Sequence, residues 1–283
     1  MNAIEFSYQK ELKEVITDHI KTVAIYCFGT NKTRCCSNKT LYLDKKVQKE
    51  HIHLYLLLLV HETKENAVND ISDILKTKTQ GTITSTLLIH HVRNLKKTCD
   101  DQQFFFWKIM QNAELIYQDV EKPPYLNSAD IPKRNLKGTT HYIASRKNNI
   151  ATIWNWVYND DDVHSSDEVK MSALHQVVEQ VCLSLIRVFL GYTPNHFALE
   201  HLFHLCEYFT TITGDFFPRI TQEDKSMFKL LKQQPGSLRF SKANDVDYLH
   251  YQLLEERCNL FHKRASEVIE SELKRLKDLE PKM

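Results

Sequence analysis

Apolar positions along this chain change their period near its middle. Over residues 7–21, Leu12, Val15 and Ile16, with His19, recur at helical spacing and predict an amphipathic helix. VAIYCF, 23–28, is a short run of strand formers closed by Gly29, and a polar stretch, TNKTRCCSNKT, follows it. HIHLYLLLLV, 51–60, predicts a strand buried on both faces over its second half. Ala67, Ile71, Ile74 and Leu75 share one face of a helix over 64–78, and Gly81 opens another strand, TITSTLLIHHV. A short helix carrying FFFWKIM and a last strand, ELIYQ, complete the order helix, strand, strand, helix, strand, helix, strand. That order predicts a small α/β or α+β domain over residues 1–120.

EKPPYLNSADIPKRN, 121–135, holds two adjacent prolines and Pro132, the composition of a linker. Beyond it every period is helical. A helix is expected over 137–158. Ser165–Glu168 spells a capping box, after which Leu174, Val177, Val178, Val181, Leu185 and Val188 recur at helical spacing until Gly191 ends the helix. Pro194 and Asn195 are expected to start the next helix, with a stripe of Leu199, Leu202, Leu205, Cys206 and Phe209. A shorter helix covers 222–233. The last covers 245–279, with Val246, Leu249, Leu253, Leu260, Ala265 and Val268 expected to face inward. Residues 136–283 thus read as an antiparallel bundle of four to five helices, and the whole chain as α+β.

Composition narrows the class. The chain has 283 residues, 42% hydrophobic and 26% charged, and only 6 Gly and 7 Pro, which disfavours a fold of many tight turns. The net charge of +1 makes no bulk demand for nucleic acid and excludes no local basic patch. Seven cysteines occur without a CxxC pair, the pattern of reduced thiols rather than a zinc site. The N-terminus lacks a signal-peptide core, and the longest apolar run, LYLLLLV, is too short to span a bilayer. A cytoplasmic protein with no membrane partner, no cofactor and no metal is the expectation.

Several side chains are candidates for chemistry. Arg257 and His262 lie in EERCNLFHKR. A histidine that titrates near neutrality and an arginine that steadies a phosphate suit metal-free RNA cleavage. Positions five apart on a regular helix nevertheless lie about 140° apart, so a kink or a dimer would have to bring the two together, and a solvated helix surface is the plainer reading. His175 and Glu179, four apart with Gln176 between, would line a groove or form a dimer seam. His51, His53, His90 and His91 lack the further ligands of a metal set. FFFW, 104–107, suits core packing better than base stacking, and RNLKK and KRLK are short basic runs balanced by acids.

ALHQVVEQVCLSLIRVFLGYTPNHFALEHL, 173–202, resembles the HEPN family, helical domains of prokaryotic ribonuclease toxins and defence proteins, through His175, Gln176, Glu179, Gly191, Tyr192, Pro194 and His196. YCFG, 26–29, and the segment 104–119 resemble the nucleotidyltransferase-like domain that often precedes HEPN in bacterial proteins. The resemblance implies a phosphate loop opening at Gly29 and Thr30, an R-x4-6-H ribonuclease motif matched by Arg257 and His262, and a homodimer through the helical domain. GSLRFSK, 236–242, is similar to a segment in which Arg239 would instead be the characteristic arginine. The carboxylate pair that holds Mg²⁺ in active nucleotidyltransferases is absent from HIHLYLLLLV, where His51, His53 and Tyr55 share one face. Three functions therefore stay open. They are a metal-independent endoribonuclease with an antitoxin-like partner, a non-catalytic nucleotide-, RNA- or protein-binding module, and, least favoured, a nucleotidyltransferase.

Overall fold

The structure, a computed structural model, describes residues 6–38, 46–95, 100–121, 132–159, 167–232 and 248–279. They form two compact units divided between Lys133 and Arg134. Together the units contain a sheet and many helices, an α+β protein.

In the first unit the order is α1 (Phe6–His19), β1 (Thr22–Asn38), β2 (Lys46–Val60), α2 (Ala67–Lys78), β3 (Ile83–His91), the one-turn α3 (Val92–Leu95), α4 (Asp100–Asn112) and β4 (Glu114–Gln118). The strands form one sheet in the order β3-β2-β1-β4. β1 runs antiparallel to β2 and β4, while β2 and β3 are parallel, a pairing that needs the crossover α2 supplies. Leu12 and Ile16 of α1 and Ile71 and Leu75 of α2 pack on Ile25, Leu54, Leu56, Leu58 and Val60. The alternate residues Tyr55, Leu57 and Leu59 point to the opposite face and are also buried. α4 covers that face, with Phe105 6.2 Å from Phe28 and Phe106 4.9 Å from His90 between ring centres. The apolar run at 54–60 is thus buried on both sides, as its composition predicts.

β1 departs from expectation. It does not close at Gly29 but continues through the polar stretch to Asn38, paired with β2 throughout. The register slips between Cys27 and Gly29, so Phe28 is accommodated as a bulge and Gly29 and Thr30 lie within the strand, opposite Tyr55 and Leu54. The turn into a phosphate loop implied by the resemblance is not formed there.

The second unit contains α5 (Leu136–Asn159), α6 (Asp167–Leu190), α7 (Leu199–Glu207), α8 (Ile212–Phe216), α9 (Gln222–Leu231) and α10 (Tyr248–Asp278). α6 is its axis: Leu174, Val177, Val178, Val181, Leu185 and Val188 are buried. By length and mean hydropathy, 1.4, Val169–Leu190 resembles a membrane span, but 72% of it is buried within the protein, the property of a core helix. α5 is antiparallel to α6, with the Arg134 guanidinium donating to the carbonyls of Arg187 and Val188 and Arg146 donating to Gln180 at 2.7 Å. α5 is likewise antiparallel to α10, through Lys147–Glu270 and Trp154–His262. Gly191 ends α6 at φ 67°.

Two helix expectations need correction. α7 begins at Leu199, not at Pro194 or Asn195, because 191–198 is irregular chain, anchored by the fully buried Tyr192. On α10 the buried stripe is Tyr251, Leu254, Cys258, Phe261, Ala265, Ile269, Glu272 and Leu276, at spacings of three or four. Leu249, Leu253 and Leu260 lie on a neighbouring stripe and are 68%, 36% and 45% exposed. Leu253 and Leu254 are adjacent but about 100° apart, enough to put one in solvent and the other in the core. Val246 and the capping box at 165–168 lie outside the described residues or side chains.

Candidate functional site

The sheet face opposite α1 and α2 carries a polar row shared by β2 and β3. Parallel pairing sets His53 beside Thr84 and Tyr55 beside Thr86. The Thr84 hydroxyl lies 3.0 Å from His51 Nε2 and 2.8 Å from His53 Nδ1, and the Thr86 hydroxyl lies 2.8 Å from His53 Nε2. Each hydroxyl has one proton, so the donors along this chain run in a single direction. His53 also meets the Tyr55 ring edge-on at 4.9 Å. Hydroxyls thus engage both nitrogens of His53, and His51, His53 and Tyr55 give this face of β2 no carboxylate for Mg²⁺. Glu50 occupies the other face of β2, in register with Arg34, and Asp44 lies outside the described residues. Burial pushes His90, beside Phe106, down to about 4. Among the described residues no group of three or more His, Cys, Asp or Glu is arranged to hold a metal.

Arg257 and His262 share α10, which is helical from Tyr248 to Asp278, and they face different neighbours. Arg257 lies toward the start of α9. There Thr221 holds the Asp224 carboxyl below its usual range by side-chain and backbone hydrogen bonds, and the charge of Arg257 adds to the effect. His262 lies toward α5, where the Trp154 indole N–H donates to its Nδ1 at 3.3 Å. Burial lowers the His262 pKa, and the positive charges of Lys147 and Lys263 lower it further. The ring is therefore neutral at pH 7, with the Nδ1 lone pair already accepting a hydrogen bond. Within one chain the two residues do not converge on a common point.

His175 is buried and bridges helices, its Nδ1–H donating to the Leu231 carbonyl at 2.8 Å. Its Nε2 is 3.9 Å from Glu179 Oε2. Burial lowers the His175 pKa and raises that of Glu179, opposite to the shifts of an ion pair, so this contact is not a salt bridge at neutral pH. Gln176 points outward, while Arg146 faces Glu179. Both Arg146 and Arg187 lie over the Tyr142 ring, at 4.8 and 5.3 Å. The candidate groove at His175, Gln176 and Glu179 is thus largely a set of inter-helix contacts. Arg239 lies outside the described residues.

Sequence reasoning missed three polar features. Thr84 and Thr86 complete the histidine row, and a T-x-T in parallel register with an H-x-H was the available signal. Trp154 reaches His262 only through the α5–α10 register, which no local pattern encodes. His201 is 8% exposed in α7, edge-on to His196 at 4.8 Å, and its Nε2 has no hydrogen-bond partner among the described residues. Burial, then the neighbouring His196 and His204, push its pKa down to about 3.

A scan of protein-family models finds no match to this sequence, and a search of curated proteins returns no relative.

Proposed function

We propose that this chain is a two-unit protein of the nucleotidyltransferase-like plus HEPN type that works by binding, as a homodimer, rather than by turnover. The observation that carries the reading is the surface of α10. Leu249, Leu253 and Leu260 form an exposed stripe with Glu256 and Arg257 beside it. A two-fold antiparallel pairing centred between Glu256 and Arg257 is self-complementary. It sets Leu253 against Leu260 of the partner subunit and Glu256 against Arg257 of the partner subunit, so apolar surface and opposite charges are matched at once. That assignment gives Arg257 an interface role, and His262 lies on another flank of the helix. The tied Nδ1 of His262 and the carboxylate-free face of β2 support a reading without ribonuclease or nucleotidyl-transfer chemistry.

Sedimentation and RNA incubation test it together. The wild type is expected to sediment as a dimer that Leu253→Lys shifts at least tenfold toward monomer, and to leave total RNA intact in EDTA. A monomeric wild type overturns the interface. Metal-free cleavage lost in both Arg257→Ala and His262→Ala overturns the binding role in favour of an endoribonuclease of toxin or defence type.

A further inference from the structure

One face of α10 opens onto a small cavity beside the end of α6. The cavity has a volume of about 400 Å³ and is lined by Phe189, Arg264, Glu267, Val268, Ser271 and Glu272. That volume falls within the range of small-molecule pockets, about 300–1,000 Å³. The five α10 residues stand at i, i+3, i+4, i+7 and i+8, so they share one helix face, and α6 supplies the aromatic wall. Phe189 is held there by stacking on Phe209, with ring centres 4.5 Å and planes 15° apart. Phe189 and Val268 both stay partly exposed.

The remaining lining is charged, with the two signs separated along the helix. Arg264 Nη1 donates to Glu267 Oε2 at 2.7 Å, and both side chains of that pair lie mostly in solvent. Glu272 is buried, 8% exposed, and its two carboxylate oxygens accept from Arg275 Nε and Nη2 at 2.7 and 2.6 Å. A carboxylate offers about four acceptor positions and a guanidinium five N–H donors, so Glu272 and Arg264 each keep capacity beyond these bonds. The two residues are eight apart, about 12 Å along the axis. Two arginines and two glutamates sum to zero charge, so the cavity compensates a ligand that carries both signs and leaves a singly charged one unbalanced.

We propose that this cavity binds a zwitterionic α-amino acid with an apolar side chain. The ligand ammonium donates to Glu272 at the buried end. The ligand carboxylate accepts from Arg264 at the open end, where the solvated partner Glu267 is readily replaced. The apolar side chain lies on Phe189 and Val268. A plain hydrocarbon would cover the spare acceptor positions of Glu272 without giving them a donor. The cavity belongs to one chain and does not depend on α10 pairing with a second copy.

The test is isothermal titration calorimetry of the full-length protein with L-phenylalanine. Beside it run phenethylamine, which lacks the carboxylate, and 3-phenylpropionate, which lacks the ammonium. L-phenylalanine should bind saturably with a Kd of about 1 mM or below, the scale open to a ligand of its size, and each analogue at least about tenfold more weakly. Arg264→Gln should weaken L-phenylalanine at least about tenfold and leave phenethylamine within about twofold. Ser271→Trp adds bulk at the mouth from an exposed position and should abolish binding. Amide NMR spectra of the wild type supply a reading that needs no variant: L-phenylalanine should shift the resonances of Phe189 and of residues 264–272. Absent saturation by L-phenylalanine, unchanged affinity in a folded Ser271→Trp protein, or shifts confined to other residues overturns the site. An analogue that binds as tightly as L-phenylalanine, or an equal loss of phenethylamine in Arg264→Gln, overturns the zwitterion assignment.

Discussion

His201 provides a quantitative test of the packing in the helical unit. The ring is 8% exposed in α7, its Nε2 has no partner among the described residues, and its pKa is pushed down to about 3 by burial and then by His196 and His204. In the unfolded chain a histidine titrates near 6.5. The folded state therefore binds fewer protons than the unfolded state between those two values, and stability is complete above the unfolded pKa and is lost as the pH falls. At pH 4.5 the unfolded ring is protonated in about 99% of molecules and the folded ring in only a few per cent, so linkage costs about 3 kcal/mol relative to pH 7.5. His201→Leu removes the titrating group while keeping an apolar side chain. In a Trp107→Phe background the remaining tryptophans, Trp154 and Trp156, both report on α5. Urea unfolding followed by their fluorescence should show the wild type losing about 3 kcal/mol more than His201→Leu between pH 7.5 and 4.5. Equal pH dependence in the two proteins, or a folded-state titration of the His201 ring above pH 5.5 by NMR, would refute the argument.

Two further outcomes concern the polar contacts of each unit. Thr84→Val removes the hydroxyl between His51 and His53, and should destabilise the first unit by about 1–3 kcal/mol, read by urea unfolding through Trp107 fluorescence in a protein lacking the other two tryptophans. Trp154→Phe removes the donor to His262 Nδ1, a bond made only to the neutral ring. The His262 pKa should therefore rise toward its ordinary value by NMR titration, and a fall would contradict the assigned geometry.

The alternation of helix and strand in the first unit was legible because each element buries an apolar face whose period matches its geometry. Ile71 and Leu75 report a helix, and seven consecutive apolar residues at 54–60 report a strand covered on both sides. The outer half of β1 was illegible for the converse reason. Its sequence offers no apolar stripe, so its strand character comes from pairing with β2, which is not local information. α10 shows a subtler failure. Its sequence offers two apolar stripes about 100° apart, and contact with Phe203 and Phe217 through Phe261 selects the one containing Leu254, Cys258 and Phe261. The candidate residues at 257 and 262 were readable as a pair in sequence, but their separate neighbours, Asp224 and Trp154, come from α9 and α5.

The way the helical unit holds three of its histidines bears on the chemistry they can perform. In the helical unit three histidines are kept neutral: His175 is tied to the Leu231 carbonyl, His262 to the Trp154 indole, and His201 is enclosed beside His196. Burial is the first cause of the lowered pKa in all three. A general acid serving at neutral pH must be substantially protonated there, and a general base must present an unoccupied lone pair. His175 and His262 meet neither condition at their bonded nitrogens, and His201 fails the first.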